Sequence, residues 1–261
     1  MHNFDFVRPT TVADAVRALA AEGAQPLSGG HTLLPTMKSR LAAPAVLVSL
    51  TGIAELKGVS AAGGVLTIGA ATTHAEVAAA ARASFPALAA LAGGIGDPAV
   101  RNRGTIGGSL ANNDPSACYP AAVLGTGATV VTNAREIAAD DFFQGMFATA
   151  LDPAEIITAV RFPIPGRANY QKFLQPASRF ALVGVFVAKG PAGVRVAVTG
   201  ASESGVFRWT EAEAALGRDF SPGALAGLAV DPQGMIADLH GPARYRAHLV
   251  GVLTGRAVAA A

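Results

Sequence analysis

The chain has 261 residues, 51% apolar and 15% charged, with a formal net charge of +2 at pH 7. That length allows one or two domains with a real core, and the low charged fraction excludes disorder. The balanced charge gives no call for nucleic acid or an anionic membrane surface, while the low charged fraction suggests less solvated surface than a free-standing monomer usually has.

Taken in chain order, Thr11 with Asp14 opens a helix whose apolar positions Val12, Ala15, Val16 and Leu19 share one face, with Gly23 as its stop. A short strand near Pro26–Ser28 runs into a Gly29-Gly30 turn, and Thr32 caps a following helix that carries Pro35 in its first turn. Residues 45–50 and 65–70 read as buried strands. Thr73–Glu76 is a capping box ahead of Val77–Arg82, and the stretch from Gly93 to Pro120 reads as long and irregular. Residues 128–132 and 157–162 read as further strands.

Pro163-Ile164-Pro165-Gly166 is the clearest linker, dividing the chain into 1–165 and 166–261. Beyond it Tyr170–Leu174, Phe180–Lys189 and Val194–Thr199 read as three strands, the last two joined as a hairpin across Gly190–Gly193. Three helices follow: one capped by Thr210 with Glu213, one opened by Ser221-Pro222, and a longer one from Pro242. Strands followed by helices point to a small α+β domain.

Most chemistries are excluded quickly. A single cysteine, Cys118, permits no disulfide framework and no CxxC pair, and an iron–sulfur cluster needs about four thiolates. His2, His31, His74, His240 and His248 show no metal-binding spacing. Asp5 and Arg8 interrupt any signal peptide, and the longest uncharged stretch, 115–134, is broken by Pro120, Gly125 and Gly127, so a soluble cytoplasmic protein without a transmembrane segment is expected. There is no P-loop. Gly94-Ile95-Gly96-Asp97-Pro98-Ala99 matches GxGxxA but follows a helical run rather than a strand, and is set aside. Gly107–Ala111 lacks the last glycine of a nucleophile elbow.

Two segments remain. Ser28-Gly29-Gly30-His31-Thr32 and Thr105-Ile106-Gly107-Gly108-Ser109 each place hydroxyls around paired glycines. Such backbone can turn its N–H groups into one concavity, and two of them facing each other can hold a pyrophosphate without a formal charge. Each alone reads more readily as an ordinary glycine turn. Arg101, Arg103, Lys38 and Arg40 would assist if the loops converge, whereas Trp209 and Phe142-Phe143 read as core or interface packing rather than a stacking platform.

Together, residues 28–38, 101–109 and 113–122 resemble the FAD-binding medium subunit of the molybdenum hydroxylases, the group that includes xanthine dehydrogenase and aerobic carbon monoxide dehydrogenase; the likeness is to the carbon monoxide dehydrogenase type. It extends to Phe6-x-Arg8-Pro9, to Glu155-Ile156-Ile157-Thr158 and to Lys172 through Phe180, essentially the whole chain. The resemblance implies an α+β fold: a two-lobed FAD-binding domain (PCMH-type; lobes about 1–55 and 56–165) followed by a small C-terminal domain with a three-stranded antiparallel sheet and helices.

It further implies pyrophosphate binding by Ser28, Gly29, Gly30, His31 and Thr32 and by Thr105, Ile106, Gly107, Gly108 and Ser109. Ile157, Lys172 and Phe180 fall near the isoalloxazine, with Phe180 where many relatives carry Tyr. An acid that contacts the ribityl part in relatives falls at Cys118, so that contact is lost or passes to Asp114 or a backbone group.

The implied work is divided. A large molybdopterin subunit oxidises the substrate, a small subunit carries two [2Fe–2S] clusters, and this chain's FAD takes the electrons and passes them to an external acceptor, in a dimer of heterotrimers. One cysteine agrees with that division, since the clusters must sit on a neighbour. The alternatives are a self-contained FAD-dependent oxidoreductase on the same fold and an assembly subunit without flavin.

Overall fold

Three sheets organise the protein, and the computed structural model describes all residues, 1–261. The first is parallel: β1 (Asp5–Val7), β2 (Ala24–Leu27) and β3 (Val46–Ser49), in the order β1-β3-β2. Parallel neighbours need crossovers. These are α1 (Val12–Leu19) and α2 (Leu33–Lys38). The Thr11 hydroxyl accepts the Asp14 N–H at 3.1 Å and α1 buries Ala15 and Leu19, as the pattern requires. Thr32 departs from expectation: its side chain caps nothing, and instead its carbonyl accepts the Thr36 hydroxyl at 2.8 Å.

The second sheet is antiparallel: β4 (Val59–Ala62), β5 (Val65–Gly69), β6 (Thr129–Thr132), β7 (Glu136–Ala138) and β8 (Ile157–Pro163), ordered β4-β5-β8-β6-β7. Between β5 and β6 run five helices: α3 (His74–Ala80), α4 (Pro86–Gly93), α5 (Pro98–Arg101), α6 (Ile106–Asn112) and α7 (Tyr119–Thr126). α3 starts on the complete Thr73–Glu76 capping box. The stretch 93–120 is therefore not irregular. The Asp97 carboxylate accepts the Val100 N–H at 2.9 Å and starts α5; the Thr105 hydroxyl accepts the Gly108 N–H at 3.2 Å and starts α6. Two glycines weaken α6 locally by about 1 kcal/mol each, so burial of Ile106 and Leu110 must hold it. A short helix, α8 (Ala139–Phe142), follows β7, and the buried Phe142 packs edge-on against Phe143, which is half-buried against the same core.

The third sheet comprises β9 (Arg167–Leu174), β10 (Ala181–Gly190), β11 (Gly193–Thr199) and β12 (Phe207–Arg208), ordered β12-β11-β10-β9 and antiparallel throughout. Gly190 pairs with Gly193, leaving Pro191-Ala192 as the hairpin turn. The two-residue β12 extends the expected three strands to four. α9 (Thr210–Arg218) and α10 (Ala243–Ala260) complete the chain. Thr210 is not a cap, since Trp209 precedes the helix, and Glu213 is buried against the Arg208 guanidinium and the Val196 N–H instead. Ser221-Pro222 opens only a 3-10 turn, Pro222–Leu225.

β10 is buried on both faces, which explains its unbroken apolar run. Val183, Val185 and Val187 enter the core under α9 and α10, while Phe186 and Ala188 join the core that contains α7 and the second sheet. Phe85 sits edge-on to both Phe162 of β8 and Phe186 of β10, tying the two sheets together. That union brings the end of β9 against the start of α7, where the cleft lies.

Candidate functional site

One cleft of about 730 Å³ gathers Ser28–Thr32, Thr105, Gly107–Ser109, Asp114, Cys118, Ile157, Lys172 and Phe180. This is within the roughly 300–1,000 Å³ of small-molecule sites. Ile106 is the exception among the expected residues: its side chain is fully buried in the core beneath. The basic residues Lys38, Arg40, Arg101 and Arg103 do not line the cleft either. Arg101 spends its guanidinium on the Ile95 and Gly96 carbonyls, both at 2.9 Å.

The two glycine segments touch. The Ser28 and Thr105 hydroxyls are 2.7 Å apart, and a Cβ on Gly29 would overlap the Arg103 carbonyl oxygen. Only glycine permits that approach. Gly30 has φ of +74°, which turns the chain into α2.

They differ in what their backbones offer. None of the N–H groups from Gly29 to Leu33 donates to an acceptor within the chain. Five consecutive amides without a protein acceptor, on a segment lining a cleft, are available to an anion such as a diphosphate. In the second segment Ile106 N–H donates to the Thr72 carbonyl at 3.3 Å, Gly107 to Ala70 at 2.9 Å, and Ser109 to Thr105 at 3.0 Å. With Gly108 engaged by the Thr105 hydroxyl, this segment contributes shape, the Ser109 hydroxyl and only one free amide, that of Thr105, rather than a row of them. The expectation that both loops present their amides is corrected here: residues 106–109 use theirs to dock α6 on the exit of β5 and to close its first turn.

Elsewhere in the cleft Lys172 Nζ donates to the carbonyls of Gly94 (2.7 Å) and Arg179 (2.9 Å) and lies 3.5 Å from Cys118 Sγ. Phe180 packs edge-on to His240, 5.4 Å between centroids. Asp114 shapes its own turn by accepting the Ser116 N–H at 2.8 Å. Ile157 is held through its neighbour: Ile156 N–H donates to the Asn133 side chain at 2.8 Å, and Asn133 N–H returns a bond at 3.1 Å.

His74 and Glu155 also line the cleft. His74, the first residue of α3, is buried; burial foremost, then the charges of His31 and Arg101, hold its pKa down to about 4. Its ring packs 5.3 Å from that of Tyr119, with its Nε2 edge against Gly104. The capping box at Thr73 located the helix but gave no sign of this. Glu155 accepts from Arg135 (Nε 3.1 Å, a terminal guanidinium nitrogen 3.0 Å), the Thr132 hydroxyl (2.6 Å) and Asp152 N–H (2.8 Å). The Arg135 hydrogen bond is the main cause of its pKa falling to about 2. Ile95 and Gly96, from the discarded GxGxxA match, also line the cleft.

Comparison with known proteins meets this geometry. Residues 2–165 match the family described as the FAD binding domain in molybdopterin dehydrogenase. The chain belongs to that family. The carbon monoxide dehydrogenase medium chain of Afipia carboxidovorans is 35% identical, covering 98% of this chain and 96% of its own. The nicotine 6-hydroxylase medium subunit of Paenarthrobacter nicotinovorans is 34% identical, over 97% and 95%. In structure, reconstituted CO dehydrogenase from Oligotropha carboxidovorans superposes with a TM-score of 0.90 at 33% identity, covering 100% of this chain and 98% of that one.

The chain is therefore an FAD-binding medium subunit of the molybdenum hydroxylase family, an oxidoreductase component whose homologues work in multi-subunit complexes. No helix is long and apolar enough to cross a membrane.

Proposed function

We propose that the cleft holds FAD, with its pyrophosphate on Ser28–Thr32 and its isoalloxazine toward Ile157, Lys172 and Phe180, and that the chain is an electron-transfer subunit. It accepts electrons from a small [2Fe–2S] chain and passes them to an external acceptor, while a large molybdopterin chain oxidises the substrate. The observation that carries this reading is the row of free amides, Gly29 to Leu33, on the wall of a cleft that Lys172 also lines.

Bound flavin supplies the junction chemistry, because it takes electrons singly and releases them in pairs. This chain's own residues bind and tune it. Gly29–Leu33 N–H groups and the Ser109 hydroxyl meet the phosphates; the Asn133–Ile156 pair fixes the wall at Ile157. The Lys172 ammonium favours the negative charge that reduction adds, so Lys172→Met lowers the flavin's midpoint potential; an unchanged potential contradicts that role.

Medium subunits of a carbon monoxide dehydrogenase and a nicotine hydroxylase are equally similar to this chain, 35% and 34%. Similarity here does not follow substrate, in keeping with selection by the molybdopterin chain. We assign residues 1–165 to flavin binding and 166–261 to a second domain that closes the cleft, place the protein in the cytoplasm, where its free Cys118 is at home, and assign a dimer of heterotrimers.

Purification from the native source tests the reading. A flavin spectrum with co-purifying iron–sulfur and molybdenum chains, at twice the mass of one heterotrimer, is expected. A colourless chain, or a lone yellow protein that turns over by itself, contradicts it.

A further inference from the structure

The Lys172 ammonium has three close partners and none is a carboxylate: the carbonyls of Gly94 and Arg179 and the sulfur of Cys118. It joins no ion pair. The two carboxylates that line the cleft are engaged elsewhere, Glu155 by Arg135 and Asp114 by the Ser116 N–H. The Tyr170 hydroxyl beside Cys118 is driven far up in pKa, burial foremost, and stays neutral. Arg179 contributes its carbonyl to Lys172 while its charge bears on Asp97.

Cys118 itself is 5% exposed and stands immediately before α7, so its side chain is fixed against Lys172 by the helix start. An ion has most influence on a neighbouring ligand when no counter-charge lies next to it, because opposite charges about 4 Å apart cancel much of each other's field.

We propose that residue 118 tunes the reduction potential of the bound flavin through Lys172. A cysteine there places no carboxylate beside the ammonium, whose charge stays directed at the cleft; a carboxylate at the same point would pair with Lys172 and withdraw it. The inference rests on the reading of the cleft as an FAD site. Reduction adds two electrons and one proton to the flavin, giving it one negative charge. The electrons come from the iron–sulfur chain of the proposed complex, or from dithionite in a titration. The uncompensated ammonium stabilises that anionic product over the oxidised form and raises the potential.

Redox titration of the full chain loaded with FAD tests this with Cys118→Asp and its uncharged isostere Cys118→Asn. Cys118→Asp shifts the potential to a more negative value, read equivalently as a fall of about tenfold in the affinity ratio for reduced over oxidised FAD. Cys118→Asn moves it far less. If Cys118→Asp does not fold or load, Lys172→Met in the wild-type background reads the same charge, and a negative shift is expected. Equal shifts for Asp and Asn overturn the proposal, as does an Asp variant at the wild-type potential. Wild-type chain that binds no FAD overturns the reading of the cleft together with this inference; FAD bound normally with no Asp–Asn difference overturns this inference alone.

Discussion

The two glycine segments look alike as text and do different work. Residues 28–32 leave the five amides from Gly29 to Leu33 without protein acceptors, whereas residues 106–109 spend theirs on Thr72, Ala70 and the first turn of α6. One segment is a cradle and the other is the brace that holds the cradle in place, through Ser28–Thr105 and the approach of Gly29 to Arg103. Paired glycines therefore report that backbone must come close to something; whether that is a ligand or another strand depends on residues far along the chain.

Small substitutions can pull the two roles apart. A Cβ on Gly107 would come within 2.6 Å of Ala70 Cβ and 2.8 Å of its carbonyl oxygen, both in the folded interior. Gly107→Ala should cost about 3 kcal/mol of stability in denaturant unfolding, in the range of overpacked cores. Gly29→Ala, whose Cβ would overlap the Arg103 carbonyl oxygen more closely still, should cost at least as much stability and in addition lower FAD affinity at least about tenfold by fluorescence titration, because the clash pushes the cradle off the brace. Equal effects of the two substitutions on both readouts would erase the distinction.

The brace also carries a pH dependence. His74, against Gly104, is neutral in the folded state, its pKa about 4 against 6.5 for the free side chain. A depressed histidine contributes stability that is present above pH 6.5 and is lost as pH falls toward 4, because the unfolded chain binds the proton first. A loss of about 2 kcal/mol over that window is expected, and His74→Gln should flatten it. An unchanged slope in His74→Gln would place the pH dependence elsewhere.

The smallest effect expected is at the link itself. Thr105→Val removes both the cap on Gly108 N–H and the bond to Ser28, and should cost about 1–2 kcal/mol by thermal unfolding; Ser28→Ala, which loses only the bond, about 1 kcal/mol. A Ser28→Ala cost as large as that of Thr105→Val would contradict the double role of Thr105.

What could be read in the sequence follows the range of the interactions. Thr73–Glu76 was legible because a capping box closes within three residues. The same pattern at Thr210–Glu213 misled, since Arg208 and the Val196 N–H take the Glu213 carboxylate. α6 was missed because Gly107 and Gly108 suppress the local helix signal, while its support comes from Ala70 and Thr72, more than thirty residues earlier. The cleft residues themselves were largely legible through the family resemblance. Their arrangement was not: Lys172 meets Cys118 across 54 positions, and no local rule places a thiol beside that ammonium.

The measurement that bears most directly on the central claim is backbone amide hydrogen exchange of the full chain with and without FAD. Without FAD, the amides of 106–109 should already be protected and those of 29–33 should exchange freely; on adding FAD, 29–33 should become protected with little change at 106–109. FAD binding that leaves 29–33 unprotected, or that protects 106–109 instead, would contradict the account.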